Sequence, residues 1–190
     1  RKRPYRREEM KKVLIVLAPG FEEIEALTPI DILRRAGAQV TVAGTIPGPI
    51  EGRSGIKVLP DIVMDKAGAD YEMIILPGGA PGTENLKKDL RVKAAVEAMA
   101  HRGKYIAAIC AAPTVLSAIG VSKGKLVTSH PSVRGQLKDE RISDERVVVD
   151  ANIITSQGPG TAMEFSFCLV EKLFGKEKSI EVNRGVLARL

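Results

Sequence analysis

The stretch Lys104-Tyr-Ile-Ala-Ala-Ile-Cys110-Ala-Ala-Pro-Thr-Val-Leu116 decides how this chain is read. Tyr105 to Ile109 make an apolar run of strand length, and the residues after Pro113 carry helical apolar spacing. Cys110 stands between them. A nucleophile on a sharp strand-to-helix turn projects at the C-terminal edge of a sheet, where the first amides of the following helix point at it. Those amides and the helix dipole favour a thiolate, so the expected Cys110 pKa is depressed. Ala111 and Ala112 let a substrate approach the backbone, and Pro113 suits a first helical turn, where its missing N–H costs nothing. The competing reading is a buried packing cysteine, since free Cys is among the most buried residue types. The strand–Cys–turn–helix context favours the functional thiol.

Outward from this elbow, strands and helices alternate. Residues 13–18 form an unbroken apolar run, the mark of a strand buried on both faces, and Pro19-Gly20 ends it. Glu22 and Glu23 open a helix that stops at Ala36-Gly37, and residues 39–43 read as the next strand, which completes one βαβ unit. Residues 44–53 read as a Gly/Pro-rich loop and 56–59 as a short strand. Residues 73–76 form a strand running into Pro77-Gly-Gly-Ala-Pro-Gly82, followed by a helix over 91–101. Beyond the elbow come a strand at 125–129 ending in His130-Pro131 and a charged, solvated loop at 136–146. A hairpin around Asp150-Ala151 and a last long helix to Phe174-Gly175 follow. The pattern predicts an α/β fold: a flavodoxin-like single domain with a mostly parallel sheet sandwiched by helices. Ligands of such sheets bind outside the C-terminal strand ends, which groups Gly20–Glu25, Gly78-Gly79, Cys110 and His130.

Composition narrows the function. Hydrophobic residues at 44% and charged residues at 27% are ordinary for a globular chain, while 4% aromatics without Trp argue against a stacking platform for single-stranded nucleic acid. The formal charge of +6 is concentrated at one end. Residues 1–12 hold seven Lys/Arg and two acids, leaving 22 basic against 21 acidic residues elsewhere. Residues 1–9 therefore read as a basic N-terminal tail, disordered or added upstream, and 10–190 as the domain. Nucleic-acid binding by the folded body is not expected. No apolar run is long enough for a membrane span or a signal-peptide core, and two cysteines without a pairing pattern fit a reducing compartment, so the expected location is cytoplasmic. Cys168, in the apolar helical segment from Glu164 to Phe174, reads as core packing.

Four blocks carry a resemblance: Leu17-Ala-Pro-Gly-Phe-Glu-Glu-Ile-Glu25, Leu76-Pro-Gly-Gly79, Ala107-Ala-Ile-Cys110-Ala-Ala-Pro-Thr and Ser156-Gln-Gly-Pro-Gly-Thr161. In order and spacing they resemble the DJ-1/ThiJ branch of the DJ-1/ThiJ/PfpI superfamily, over roughly residues 11–178. The resemblance implies Cys110 as nucleophile or oxidisable thiol and Glu25 as the carboxyl hydrogen-bonded to it. It implies an oxyanion hole from the N–H groups of Gly79 and Ala111, a nearby His130, and Asp31 as an acid offered across a homodimer interface. It implies no metal or cofactor. In the protease-like branch a His follows the nucleophile; here Ala111 does, which counts against a cysteine peptidase.

The residues support these roles on separate grounds. Gly78-Gly79 after a strand permits a turn that bares an amide, although an ordinary turn would use the same residues. A stabilising contact between Glu25 and Cys110 requires a protonated carboxyl, which burial favours, whereas Glu22 and Glu23 read as surface first-turn acids. His130 is a candidate base or orienter, with a plain loop histidine as the alternative; with only two histidines a His-rich metal site is not available. The expected function is cofactor-independent conversion of reactive dicarbonyls, with methylglyoxal or glycated groups as substrates: glyoxalase or deglycase chemistry, in lyase or hydrolase form. The alternative is a redox sensor or chaperone in oxidative stress that uses oxidation of Cys110.

Overall fold

The computed structural model describes residues 9–190, so the reading of residues 1–9 as a tail lies almost wholly outside the described residues. Lys12–Leu17 (β1), Glu23–Arg35 (α1) and Gln39–Gly44 (β2) form the expected βαβ unit. Ile50–Glu51 (β3) and Lys57–Val58 (β4) then make a small antiparallel hairpin before Ile62–Val63 (β5). Met73–Leu76 (β6) leads into two helices, Ala80–Lys88 (α2) and Leu90–His101 (α3). Tyr105–Ile109 (β7) and Pro113–Ile119 (α4) flank Cys110. Leu126–Val127 (β8), Arg141–Ile142 (β9), Val147–Asp150 (β10) and Ile153–Ser156 (β11) precede the closing helices Ala162–Phe174 (α5) and Lys176–Val186 (α6).

The main sheet has seven strands in the order β10-β11-β7-β6-β1-β2-β5. All neighbours are parallel except the β10–β11 hairpin. This is the flavodoxin-like arrangement expected from the sequence. Because strand side chains alternate, each central strand feeds two cores. Val13, Ile15 and Leu17 pack with Phe165, Leu169 and Val170 beneath α1 and α5. Leu14 and Val16 pack with Val92, Val96 and Leu116 beneath α3 and α4. That two-sided burial explains the unbroken apolar runs. The C-terminal ends of β1, β6 and β7 are thereby fixed side by side.

Several short elements depart from expectation. The segment after Gly79 is helix α2, because Pro81 sits in its first turn, where a missing N–H is harmless. Within the expected 44–53 loop, Ile50 is fully buried and pairs with Val58, which creates the hairpin. Only Leu126–Val127 of the 125–129 strand joins a ladder; its partner Arg141–Ile142 lies inside the segment read as a solvated loop. The polar helix α6 escaped the apolar pattern because it docks on α5 chiefly through Ser179 and Val182.

Candidate active site

The turn after β7 is one of three points, with Ala151 and Leu187, where a non-glycine residue of the described chain has positive φ. Cys110 adopts φ 66°, a left-handed conformation that costs a non-glycine residue about 1–3 kcal/mol and persists only when its surroundings enforce it. They do so from both sides. The Cys110 N–H donates to the Ser156 carbonyl at 2.9 Å, and the His130 N–H donates to the Cys110 carbonyl at 2.8 Å. The first helical residue is Pro113, so Ala111 and Ala112 form a short connection rather than the helix itself.

Gly78 and Gly79 bring the end of β6 against this elbow. A Cβ on Gly78 would stand 2.6 Å from Glu25 Oε2, 2.7 Å from Cys110 Cβ and 2.8 Å from the Ile109 carbonyl oxygen, so no side chain fits. Gly79 has φ 87°, and its Cβ would lie 2.4 Å from the Gly20 carbonyl oxygen. The Glu22 N–H donates to the Gly78 carbonyl at 2.9 Å, which ties this turn to the start of α1. The N–H groups of Gly79 and Ala111 lie near enough to the Cys110 sulfur to draw its pKa down. Two convergent donors beside a nucleophile are what an oxyanion requires.

Glu25 completes the cluster. It is fully buried, and its Oε2 accepts the Gly78 N–H at 2.8 Å. Its Oε1 has no hydrogen-bond partner among the described residues, and the carboxyl lies close to the Cys110 side chain, since a Cβ on Gly78 would meet both. Burial raises the carboxyl pKa from 4.5 to about 7, against the lowering by the Cys110 and Gly78 contacts. The neutral acid is therefore accessible at neutral pH.

The thiol corrects one expectation. The Cys110 pKa is not depressed but pushed up to about 12, by burial first and then by the Glu25 charge and hydrogen bond. The amides of Gly79 and Ala111 act in the expected direction and are outweighed. A neighbouring carboxylate repels a thiolate in a water-poor site. Charge on either Cys110 or Glu25 therefore disfavours charge on the other.

The other expected residues are placed less centrally. His130 is exposed, and its Nδ1 is engaged by Ser132, accepting the backbone N–H at 3.2 Å and meeting the hydroxyl at 2.7 Å. That arrangement leaves the ring proton of the neutral form on Nε2. Its backbone holds the elbow, but among the described residues its ring makes no hydrogen bond to Cys110. Asp31 lies exposed on the outer side of α1, paired with Arg35 one turn on, and does not join the Cys110 cluster within one chain.

Two acids read as surface residues are buried. Glu22, 7% exposed, caps α1 by accepting the Glu25 N–H at 2.8 Å; Glu23, 4% exposed, accepts the Ser54 N–H at 2.7 Å. First-turn acids usually face water; here the loop joining β3 and β4 covers Glu23, while Glu22 turns back onto its own helix as the cap. The signal available in the sequence was three acids within four residues, Glu22-Glu23-Ile24-Glu25, too many for one solvent-facing turn. Among the described residues no group of three or more His, Cys, Asp or Glu side chains could hold a metal ion.

Comparison with known proteins places this cluster. Residues 11–172 match the model of the DJ-1/PfpI family. The chain is 43% identical over 181 residues to protein dj-1beta of Drosophila melanogaster, covering 93% of this chain and 97% of that one. It is 38% identical over 173 residues to the glutathione-independent glyoxalase DJR-1.2 of Caenorhabditis elegans, covering 89% and 92%. The crystal structure of Drosophila melanogaster DJ-1beta superposes with a TM-score of 0.93 at 41% identity, covering 96% of this chain and all of that one. A strained cysteine elbow, a buried glutamate and a doubly wound sheet, together with these matches, establish that the chain belongs to the DJ-1/PfpI family.

Proposed function

We propose that this protein is a cofactor-independent cysteine enzyme that converts small reactive dicarbonyls such as methylglyoxal to hydroxy acids, and removes the same groups from glycated amines or thiols. The observation that carries this reading is the Cys110–Glu25 pair: a thiol brought beside a fully buried carboxyl whose pKa is raised to about 7. Ionised Glu25 takes the thiol proton as sulfur adds to the aldehyde carbon, and the carbonyl electrons move onto oxygen between the Gly79 and Ala111 N–H groups. Glu25 returns that proton to the oxygen, giving a hemithioacetal. The regenerated carboxylate then carries the proton from the aldehyde carbon to the neighbouring carbonyl carbon through an enediol. The product is a 2-hydroxy thioester, and water releases the acid and the thiol. The glyoxalase name of the 38% identical Caenorhabditis elegans relative supports the same chemistry. Pure protein incubated with methylglyoxal, without glutathione or metal, is expected to form lactate; no lactate above a Cys110→Ser control refutes the enzyme.

A second reading rests on the same carboxyl. Peroxide converts a thiolate to a sulfinate in two steps, each releasing water, and neutral Glu25 is placed to donate a hydrogen bond to the product. Sensing or chaperone activity would follow from that state. For either reading we propose a homodimer built on the outer side of α1, where Ile24 and Leu27 are 53% and 40% exposed and Asp31 is offered to a neighbour. Sedimentation is expected to show a dimer, with activity falling on dilution below its dissociation constant. A fully active monomer would remove Asp31 from the site.

A further inference from the structure

Glu23 precedes Glu25 by two residues in α1 yet takes no part in the chemistry above. Its carboxylate is turned onto the loop joining β3 and β4. Oε1 accepts the N–H groups of Ser54 at 2.7 Å and Ile56 at 3.4 Å, while Oε2 is buried without a partner among the described residues. The loop wraps this carboxylate closely, since a Cβ on Gly52 would stand 2.4 Å from Oε1. Two backbone hydrogen bonds fasten the same loop to the turn that delivers Glu25: Gly20 N–H to the Glu51 carbonyl and Arg53 N–H to the Phe21 carbonyl, both 2.8 Å. The hairpin and the β1–α1 turn therefore form one fastened unit. A buried carboxylate with an open oxygen is costly, and here it maintains the position of one short loop.

That loop presents Arg53. The residue is exposed, and among the described residues its guanidinium has no ion-pair or hydrogen-bond partner. The Arg53 N–H rests on the Phe21 carbonyl, and Phe21 lies against the Gly79 turn, where a Cβ would stand 3.0 Å from the Phe21 carbonyl carbon, so the loop carries Arg53 beside the turn that faces Cys110. In keeping with that placement, its charge draws the Glu25 carboxyl down against the burial that raises it. We propose that Glu23 is a positioning residue that holds Arg53 at the mouth of the Cys110 site, where Arg53 selects electrophiles bearing a carboxylate or phosphate near the reacting carbon. A fixed cation at a site entrance raises the local concentration of anions, an effect that salt screens. Where it deepens the dicarbonyl chemistry, this inference rests on the proposed function. It then names 2-oxoaldehydes with an anionic substituent, for which R–CO–CHO and water give R–CHOH–COO⁻ and a proton. The selection itself needs only the thiol.

The test separates the two. Cys110 is alkylated with iodoacetate, an anion, and with iodoacetamide, its neutral analogue, and both adducts are followed by mass spectrometry at low ionic strength. The readout is the iodoacetate-to-iodoacetamide rate ratio, which cancels changes in thiol reactivity and requires no turnover. Arg53→Gln is expected to lower the ratio about five- to tenfold, and high salt to remove most of the difference. Glu23→Ala, which frees the loop, is expected to lower it similarly. Glu23→Gln keeps a carbonyl oxygen for Ser54 and Ile56 and is expected to retain the ratio. An unchanged ratio in Arg53→Gln overturns the selection, and this exposed variant can be read even if Glu23→Ala does not fold. A Glu23→Ala ratio equal to that of the unsubstituted protein overturns the positioning role.

Discussion

The two cysteines of this chain make an instructive pair. Both are half-buried and free, and burial pushes both thiols above their ordinary pKa. Cys168 sits within α5, where the charges that reach it, Lys172 and Glu171, belong to its own helix. Cys110 occupies a left-handed backbone position, with Glu25 and the N–H groups of Gly79 and Ala111 brought to it from separate segments. Burial is common to both and explains neither. The difference lies in convergent groups from distant parts of the chain, which can accept the thiol proton and hold the oxyanion that forms.

The largest expected effect breaks the pair directly. Cys110→Ser should lower dicarbonyl turnover by about 10⁴-fold or more, the scale on which losing a nucleophile is felt elsewhere. Cys168→Ser should leave turnover unchanged, and mild peroxide should place added oxygens on Cys110. Preferential loss of activity or oxidation at Cys168 would reverse the assignment.

Next in size is Glu25→Gln, which keeps the shape of the side chain but cannot relay a proton. Turnover should fall by roughly 10²–10⁴-fold, the usual worth of general acid–base catalysis. The Cys110 pKa should drop below its value of about 12, because the carboxylate charge that raises it is gone. Near-normal lactate formation by this variant would leave the sensor reading ahead. The same substitution has a signature in stability. A carboxyl raised from 4.5 to about 7 holds its proton better in the folded protein than in the unfolded chain. Its stabilising contribution is complete below about pH 4.5 and is lost as the pH rises through 7, by ~3 kcal/mol. Denaturant titrations across this range should show that slope in the unsubstituted protein and not in Glu25→Gln.

A smaller effect sharpens the contrast between a shaped turn and an ordinary one. Gly78→Ala would place a methyl 2.8 Å from the Ile109 carbonyl oxygen and 2.6 Å from Glu25 Oε2. Backbone cannot yield as a side-chain tip can, so a loss of about 1–3 kcal/mol is expected by thermal or denaturant unfolding. A melting temperature within experimental error of the original would show that the turn has slack the structure does not reveal.

Much of this was legible before the structure. The runs at residues 13–18, Met73–Leu76 and Tyr105–Ile109 read as strands, the first as one buried on both faces, and in the structure all three feed both cores. Cys110 and Gly78-Gly79 stood out because a strand end followed by a nucleophile or by paired glycines is a local pattern. Glu23 and the β3–β4 hairpin were not legible. A two-residue ladder has no periodicity, and an acid in a first turn looks solvated until another segment is laid over it. The depressed thiol expected from the helix amides was also overturned, since burial first and then the Glu25 charge outweigh those local dipoles.

By itself, then, the chain's order of residues determined the α/β class, the parallel sheet, the elbow at Cys110 and the likeness that named Glu25, His130 and Asp31. These follow from period, length and turn chemistry, all carried by near neighbours along the chain. Only the tertiary structure decided the proton balance of the Cys110–Glu25 pair, the burial of Glu22 and Glu23, and the turning of His130 toward Ser132. Desolvation and Coulomb energies depend on which distant segments exclude water and how near they bring their charges, and spacing along the chain does not encode those distances.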